Sequence, residues 1–125
     1  MELTYGRYLK VEELLQLQQP LSEGPEHDEM LFIIIHQVYE LWFKQILHEL
    51  EKLKSSFQEG ERGKALHTLK RIRSILKVLV SQVDVLETMT PLEFLSFRKR
   101  LQSASGFQSC QFRELEFTLG LKNPK

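Results

Sequence analysis

The sequence has almost no cysteine, since Cys110 is the only one among its 125 residues. A single thiol excludes an internal disulfide framework and a cysteine-based zinc site, and it makes a reducing, cytoplasmic compartment the default expectation. Net charge is lacking as well, because 17 Lys and Arg residues balance 17 Asp and Glu residues. A neutral chain has no long-range field that draws it to nucleic acid or to an anionic membrane. We therefore expect neither as a partner.

Long hydrophobic runs are also absent. The longest, Met30 to Ile35, is far shorter than the roughly 20 residues that span a bilayer. The opening residues "MELTY" lack the basic and apolar regions of a signal peptide. With 42% hydrophobic and 27% charged residues, the chain has the composition of one globular domain. We predict an N-terminal arm with a short helix over residues 1–27 and a helical core over residues 28–125.

Glycine and proline are few, and most of them fall in four interruptions of the helical pattern, at residues 18–28, 58–63, 88–91 and 103–106. After the first interruption, residues 31–50 are apolar around most of a helical wheel of roughly 100° per residue. This predicts a long helix buried on most of its sides. Its polar arc consists of Gln37, Glu40, Lys44, His48 and Glu51.

A second long helix is predicted from about Lys64 to Leu86, because apolar residues recur there at spacings of three and four. The stripe expected to be buried consists of Ala65, Leu69, Ile72, Leu76, Leu79, Val83 and Leu86. Its basic residues lie on the opposite, solvated side. In a neutral chain they indicate an amphipathic helix more than a nucleic-acid recognition helix.

Two shorter helices have explicit start signals. Thr90 and Glu93 form a capping box with Pro91 at the first helical position, and Ser109 can cap a last helix. The inward residues expected are Phe94, Phe97 and Leu101 in the third helix, and Phe112, Leu115 and Leu119 in the last. No strand-like alternation occurs. The predicted fold is all-α, a helical bundle of two long and several shorter helices.

One histidine lies inside the apolar part of the first long helix. His36 falls on the same side of the wheel as Phe32, Tyr39 and Phe43. A lone histidine in such a place is usually a core residue whose ring hydrogen bonds to a carbonyl or a hydroxyl. A metal role needs a second ligand, and no H-E-x-x-H or similar spacing occurs. The functional alternative is a directed hydrogen bond to a bound heterocycle, or action on its proton.

Three further features could serve an anion or a partner. Arg98 lies four residues after Phe94 and so on the same helix face, either as a rim arginine or as a bidentate clamp for a carboxylate. The "SASG" stretch is either an ordinary loop or a cluster of backbone N–H groups suited to anions. Tyr5 and Tyr8, outside any strong helical pattern, indicate an arm that docks onto something else. Together with His36, these features describe a helical pocket for an aromatic amino acid.

Three collinear stretches resemble the tryptophan 2,3-dioxygenase family. They are "LTYGRYL", "HDEMLFIIIHQVYELWFKQILHEL" and "LETMTPLEFLSFRKRLQSASGFQSCQFRELE". The resemblance covers nearly the whole chain, and its strings are long and unusual. Members of that family are largely helical haem homotetramers that add both atoms of O2 across the indole C2–C3 bond of L-tryptophan. The product is N-formylkynurenine, the first step of the kynurenine pathway.

The resemblance implies roles for individual residues. His36 resembles the distal histidine that hydrogen bonds the indole N–H, and Arg98 resembles the arginine that pairs with the substrate carboxylate. Phe32 and Phe94 resemble aromatic walls of the substrate site. The whole substrate-binding run comprises Phe32, Ile33, Ile34, Ile35 and His36.

Two more sites follow from the same resemblance. Ser105 and Gly106 match a loop beside the haem edge. Tyr5 and Tyr8 resemble an arm that reaches into the pocket of a neighbouring subunit. The expected partners are therefore L-tryptophan, O2 and further copies of the chain, as a tetramer.

The chain differs from the family in length, because family members are more than twice as long. Their iron-ligating histidine lies past the position that matches residue 125, and His27, His48 and His67 do not match it. We therefore expect no metal ligand in this chain and a haem-ligating C-terminal portion as its partner. The alternative is a catalytically inactive helical module that oligomerises or binds an aromatic amino acid.

Overall fold

A computed structural model describes residues 2–21, 26–90, 92 and 109–120. Helices are the only regular secondary structure in these ranges, which confirms the all-α prediction. They are α1 (Tyr5–Leu9), α2 (Val11–Leu14), α3 (His27–Gln58), α4 (Arg62–Leu86) and α5 (Cys110–Thr118). Within the described residues, none of these helices is long and apolar enough to cross a membrane.

The helices α3 and α4 form the main hairpin of the fold. They are joined by a tight turn in which Gly60 has a φ of 71°, a conformation that glycine adopts without steric cost. The helix α5 packs against α3 and closes the core. The buried core cluster comprises Ile46, Leu50, Ile72, Ile75 and Leu115.

The predicted buried stripe of α4 is only partly correct. Ala65 and Ile72 are buried, but Leu69, Leu76 and Val83 are 43%, 39% and 41% exposed. Thr68 and Ile75 are buried in their place. The two stripes have the same period and differ only in rotation about the helix axis. The packing of α3 against α4 selects one of them, and helical periodicity alone does not fix that rotation.

The prediction that α3 is buried on most sides is also only partly correct. Met30, Ile34 and Leu41 are 39%, 41% and 55% exposed. Conversely, two carboxylates on α3 are buried, and both have hydrogen-bond partners. Glu29 accepts a 2.8 Å hydrogen bond from the backbone N–H of Leu21. Glu49 accepts one of 2.6 Å from Gln45, and it also faces Arg71 of α4.

The start of the last helix matches the prediction. The Ser109 hydroxyl accepts a 3.0 Å hydrogen bond from the Phe112 backbone N–H, and Leu115 is buried. Leu119 was expected to face inward but is 56% exposed, because it follows the end of α5. The third predicted helix, with Glu93, Phe94, Phe97, Arg98 and Leu101, lies outside the described residues.

Candidate functional site

The imidazole of His36 is held by its own helix. Its Nδ1 lies 2.8 Å from the carbonyl oxygen of Phe32, one turn earlier. Because a carbonyl oxygen only accepts, Nδ1 carries the proton, and in the neutral ring Nε2 is left as an acceptor. The ring is half-buried, and its centroid lies 4.3 Å from that of Phe32. His36 can therefore accept one directed hydrogen bond at the edge of an apolar surface.

The ring of His36 belongs to a continuous aromatic row, formed by Phe32, His36, Tyr39, Phe43 and Phe112. Successive ring centroids after His36 are 6.4, 6.1 and 5.6 Å apart. Four of its residues recur along one side of α3 at spacings of four, three and four, and α5 supplies the last. The sequence predicted the α3 part of this row, and the fold adds Phe112 to it.

Tyr39 ties the aromatic row to α4. Its hydroxyl donates a 3.0 Å hydrogen bond to the backbone carbonyl of Leu79. Burial of the phenol raises the pKa of Tyr39 above its ordinary value, so the hydroxyl keeps its proton at neutral pH. The tyrosine next to His36 is therefore a fixed neutral donor.

Gln111 ties α5 to the same stretch of α3. Its side-chain Nε2 donates to the backbone carbonyl of Glu40 at 2.8 Å and to the Glu40 carboxylate at 3.0 Å. These bonds set Phe112 against Phe43. Sequence reasoning missed Gln111, because an amide carries no chemical signature of a site. Its one signal was its position directly before an inward-facing aromatic residue.

The N-terminal arm is anchored beside His36. The Gln37 side chain donates a 2.9 Å hydrogen bond to the Leu17 carbonyl and accepts one of 2.8 Å from Gln18. Sequence analysis placed Gln37 in the polar arc of α3, and the structure shows that this polar position receives the arm. The arm thus leaves the core next to the candidate site.

Tyr5 and Tyr8 lie farther out along the arm. They belong to α1, which contacts α2, although the sequence placed them outside any strong helical pattern. Their side chains are 79% and 71% exposed. Within one chain they face solvent.

The remaining predicted site residues are three isoleucines of α3 and four residues outside the described ranges. Ile33, Ile34 and Ile35 follow one another on a helix and so face three directions. Ile35 is buried, Ile33 is partly buried and Ile34 is 41% exposed. Their roles in substrate binding stay predictions. Phe94, Arg98, Ser105 and Gly106 lie outside the described residues, and their roles stay predictions as well.

Across residues 2–21, 26–90, 92 and 109–120, no cluster of three or more His, Cys, Asp or Glu side chains is placed to hold a metal ion. His27, His48 and His67 are all exposed.

Comparison with known proteins identifies the family. The profile of tryptophan 2,3-dioxygenase matches residues 1–125. The chain is 64% identical over 122 residues to the tryptophan 2,3-dioxygenase of Herpetosiphon aurantiacus, an alignment covering 98% of this chain and 47% of that protein. It is 61% identical to the enzyme of Anaeromyxobacter sp., covering 98% and 46%, and 50% identical to that of Xanthomonas oryzae pv. oryzae, covering 98% and 41%.

The chain thus spans about half the length of the curated relatives it matches. The match extends from the exposed arm through the aromatic row to the end of α5. This chain belongs to the tryptophan 2,3-dioxygenase family.

Proposed function

We propose that this chain supplies the distal side of the substrate pocket in a haem-dependent dioxygenase of the cytoplasm. The reaction inserts both atoms of O2 across the indole C2–C3 bond of L-tryptophan, cleaves that bond and gives N-formylkynurenine. Family membership supports the reaction class. The free acceptor nitrogen of His36, set in an aromatic surface, is the observation that carries the assignment of the site.

His36 would orient the substrate through its indole ring. An indole N–H is a donor only, so it needs an acceptor such as Nε2 of the neutral imidazole. The bond from Nδ1 to the Phe32 carbonyl fixes both the tautomer and the orientation of the ring. Phe32, at 4.3 Å, would offer a flat apolar wall to the indole.

The described residues fit one wall of a haem pocket. The aromatic row is apolar and half-buried, as a wall beside a flat aromatic substrate and a haem would be, and the resemblance assigns its one imidazole to the substrate side. Ser105 and Gly106 would lie at the haem edge, and the iron ligand would come from the C-terminal portion of a full-length dioxygenase. Haem, when bound, supplies the redox chemistry that activates O2.

The other proposed residues would hold the rest of the substrate. Arg98 would pair bidentately with the carboxylate, and Phe94 would form a second wall. Tyr5 and Tyr8 would complete the pocket of a neighbouring copy in a homotetramer. Their exposure within one chain supports this role, because tyrosine is enriched at protein–protein interfaces.

The test is a full-length chimera in which residues 1–125 of this chain are continued by the remaining portion of the Herpetosiphon enzyme. We expect it to convert tryptophan and O2 to N-formylkynurenine, and His36→Ala to reduce its turnover. His48→Ala is the matched control, because His48 is an exposed histidine on the polar side of the same helix. A chimera that binds haem but forms no product would favour the inactive module instead. Equal losses from the two alanine variants would remove His36 from the site.

A further inference from the structure

One side of α4 carries an apolar stripe that stays exposed among the residues that the structure describes. It consists of Leu69, Leu76, Val80 and Val83, which are 43%, 39%, 71% and 41% exposed. On a wheel of roughly 100° per residue these four side chains lie next to the core-facing side of the helix. They recur at spacings of seven, four and three, as in a helix face that packs against another helix. A second packing partner for α4 therefore fits the pattern better than solvent does.

A row of cations borders this stripe on its far side. Lys70, Arg73 and Lys77 follow one another at spacings of three and four, and all three are exposed. None of them forms an ion pair with any residue that the structure describes. Only Asp84, at the end of the row, has the opposite sign. The surface is therefore apolar in the middle and basic along one edge.

We propose that this surface of α4 binds an amphipathic helix with an acidic flank, and that this helix lies in the other half of a full-length dioxygenase chain. The relatives are about twice as long as the matched region, so an equal length of chain is available to cover it. Apolar contact with the stripe would supply affinity, and acidic side chains facing the basic row would set the orientation. The proposal rests on family membership and not on the catalytic assignment of His36.

A second copy of α4 is a poorer occupant. In an antiparallel two-fold pairing of two α4 helices, the two basic rows would lie on the same side of the contact and repel each other. In a parallel two-fold pairing they would lie on opposite sides, and neither would face a row of acidic residues. Because these cations are concentrated along one edge of the stripe, the complementary partner is one whose acidic residues are concentrated opposite them.

The first experiment measures access to the stripe in the full-length chimera and in the isolated chain. Val80→Cys is made in both, with every other cysteine, including Cys110, replaced by serine, and the rate of thiol labelling is followed. We expect fast labelling in the isolated chain and labelling slowed by at least about a hundredfold in the chimera, as for a thiol that opens only by local unfolding. Ser74→Cys, on the solvent side of the same helix, is the matched control and should label quickly in both.

The outcomes separate the possible occupants. Equal labelling of position 80 in the two proteins would overturn the proposal. If the thiol at position 80 is protected from labelling in the isolated chain at every concentration, another part of the same chain covers the stripe. If its protection grows with protein concentration, a second copy covers the stripe. Either result would also overturn the proposal. None of these labelling measurements depends on dioxygenase activity, so they test this proposal independently of the proposed function.

The second experiment tests the two parts of the surface. The chain is co-expressed with the remaining portion of the Herpetosiphon enzyme as a separate polypeptide, and their affinity is measured after co-purification. Val80→Asp with Val83→Asp should weaken association by about a hundredfold or more, since two central apolar contacts are lost. Reversal of Lys70, Arg73 and Lys77 to Glu should weaken it by about tenfold or more and invert its dependence on salt, because like charges would then face each other.

Val78→Asp is the control, because Val78 is also 41% exposed but lies on the other edge of α4. It should leave the affinity unchanged. Unaltered association of the Val80→Asp, Val83→Asp variant would overturn the proposal, as would a charge reversal that strengthens binding. Circular dichroism of each variant shows whether α4 still folds. If the separate polypeptides do not associate at all, the labelling rates at position 80 in the chimera decide whether the proposal holds.

Discussion

At the scale of single residues, His36 shows how a polar group in an apolar helix face becomes directional. Its Nδ1 is engaged by a carbonyl four residues earlier, which leaves Nε2 as the acceptor of the neutral ring. The expectation from sequence, a histidine that hydrogen bonds to a carbonyl, and its functional alternative are therefore compatible. Nδ1 donates a hydrogen bond within α3, and Nε2 can accept one from a ligand.

The first prediction compares His36 with Arg98 in the full-length chimera. Arg98→Ala should weaken tryptophan binding more than His36→Ala does. Loss of a charge-assisted pairing that leaves a carboxylate unpaired costs about 2–5 kcal/mol. Loss of one neutral hydrogen bond costs about 0.5–1.5 kcal/mol. Tryptophan affinity and steady-state kinetics of both variants give the comparison.

Arg98→Lys should rescue binding poorly, because an ammonium group does not reproduce the planar guanidinium fork. His36→Ala should lower turnover while leaving binding partly intact. If Arg98→Ala binds tryptophan as well as the parent protein does, the assignment of Arg98 to the carboxylate is wrong.

The second prediction concerns Tyr39. Tyr39→Phe removes the 3.0 Å hydrogen bond to the Leu79 carbonyl and should lower the free energy of unfolding by about 0.5–1.5 kcal/mol at neutral pH. Burial raises the pKa of Tyr39, so its contribution to stability is complete below the unfolded value of about 10. It is lost as pH rises through the higher folded value.

Urea unfolding from pH 7 to pH 11 measures this effect. The parent protein should lose stability above about pH 10, and the difference from Tyr39→Phe should shrink there. Tyr8→Phe is the control, since Tyr8 is 71% exposed, and it should change nothing. A constant difference across the pH range would show that ionisation of Tyr39 is not linked to folding.

At the scale of elements, the Gln111 amide reinforces the apolar contact between α3 and α5. Gln111→Ala removes two hydrogen bonds and leaves the partly buried Glu40 side chain without this donor, at a cost of about 1–3 kcal/mol. Gln111→Glu should lower the free energy of unfolding further, because it places a second carboxylate next to that of Glu40. Adding Glu40→Gln to Gln111→Glu should restore stability. Thermal unfolding of the parent protein, the Glu40→Gln variant, the Gln111→Glu variant and the double variant gives the coupling energy. Additive effects would mean that the two side chains do not interact in solution.

Element boundaries and types were largely predictable from local sequence. The start of α5 at Ser109 and the turn at Gly60 depend on residues next to them, so local chemistry specifies both. The rotation of α4 was not predictable, because Leu69 and Thr68 belong to neighbouring stripes of the same period and tertiary packing chooses between them. The clamp of Gln111 on Glu40 joins residues 71 positions apart, and no local pattern encodes such a pair.

The candidate site was predictable to the extent that it lies on one helix. Phe32, His36, Tyr39 and Phe43 share a face of α3 by periodicity alone. Gln37 was assigned to solvent, although it anchors the arm, because its partners Leu17 and Gln18 belong to a segment with no strong pattern. Sequence thus indicated the position of His36 among the aromatic residues of α3, but not the contacts that fix its surroundings.

At the scale of the whole molecule, the isolated chain should not bind haem stoichiometrically. The resemblance implies that the iron ligand of the family lies past residue 125, and His27, His48 and His67 are all exposed. Titration with haem, followed by absorption spectroscopy, should give weak, non-saturating binding. A stoichiometric spectrum of histidine-ligated haem from the chain alone would refute this prediction. The full-length chimera is the positive control.

Self-association of the isolated chain is the last expected property, and the N-terminal arm should drive it. Leu3, Tyr5, Tyr8 and Leu15 are each at least 67% exposed, so the arm presents large apolar side chains with no cover of its own. The hydrogen bonds of Gln37 and Glu29 hold the base of the arm on α3, so the exposed part projects from a fixed point. Light scattering should therefore show a concentration-dependent oligomer. Tyr5→Ser with Tyr8→Ser should shift it toward monomer, whereas Val80→Asp on α4 should not. A well-folded monomer at all concentrations would contradict the prediction, and a loss caused by Val80→Asp alone would move the contact to α4.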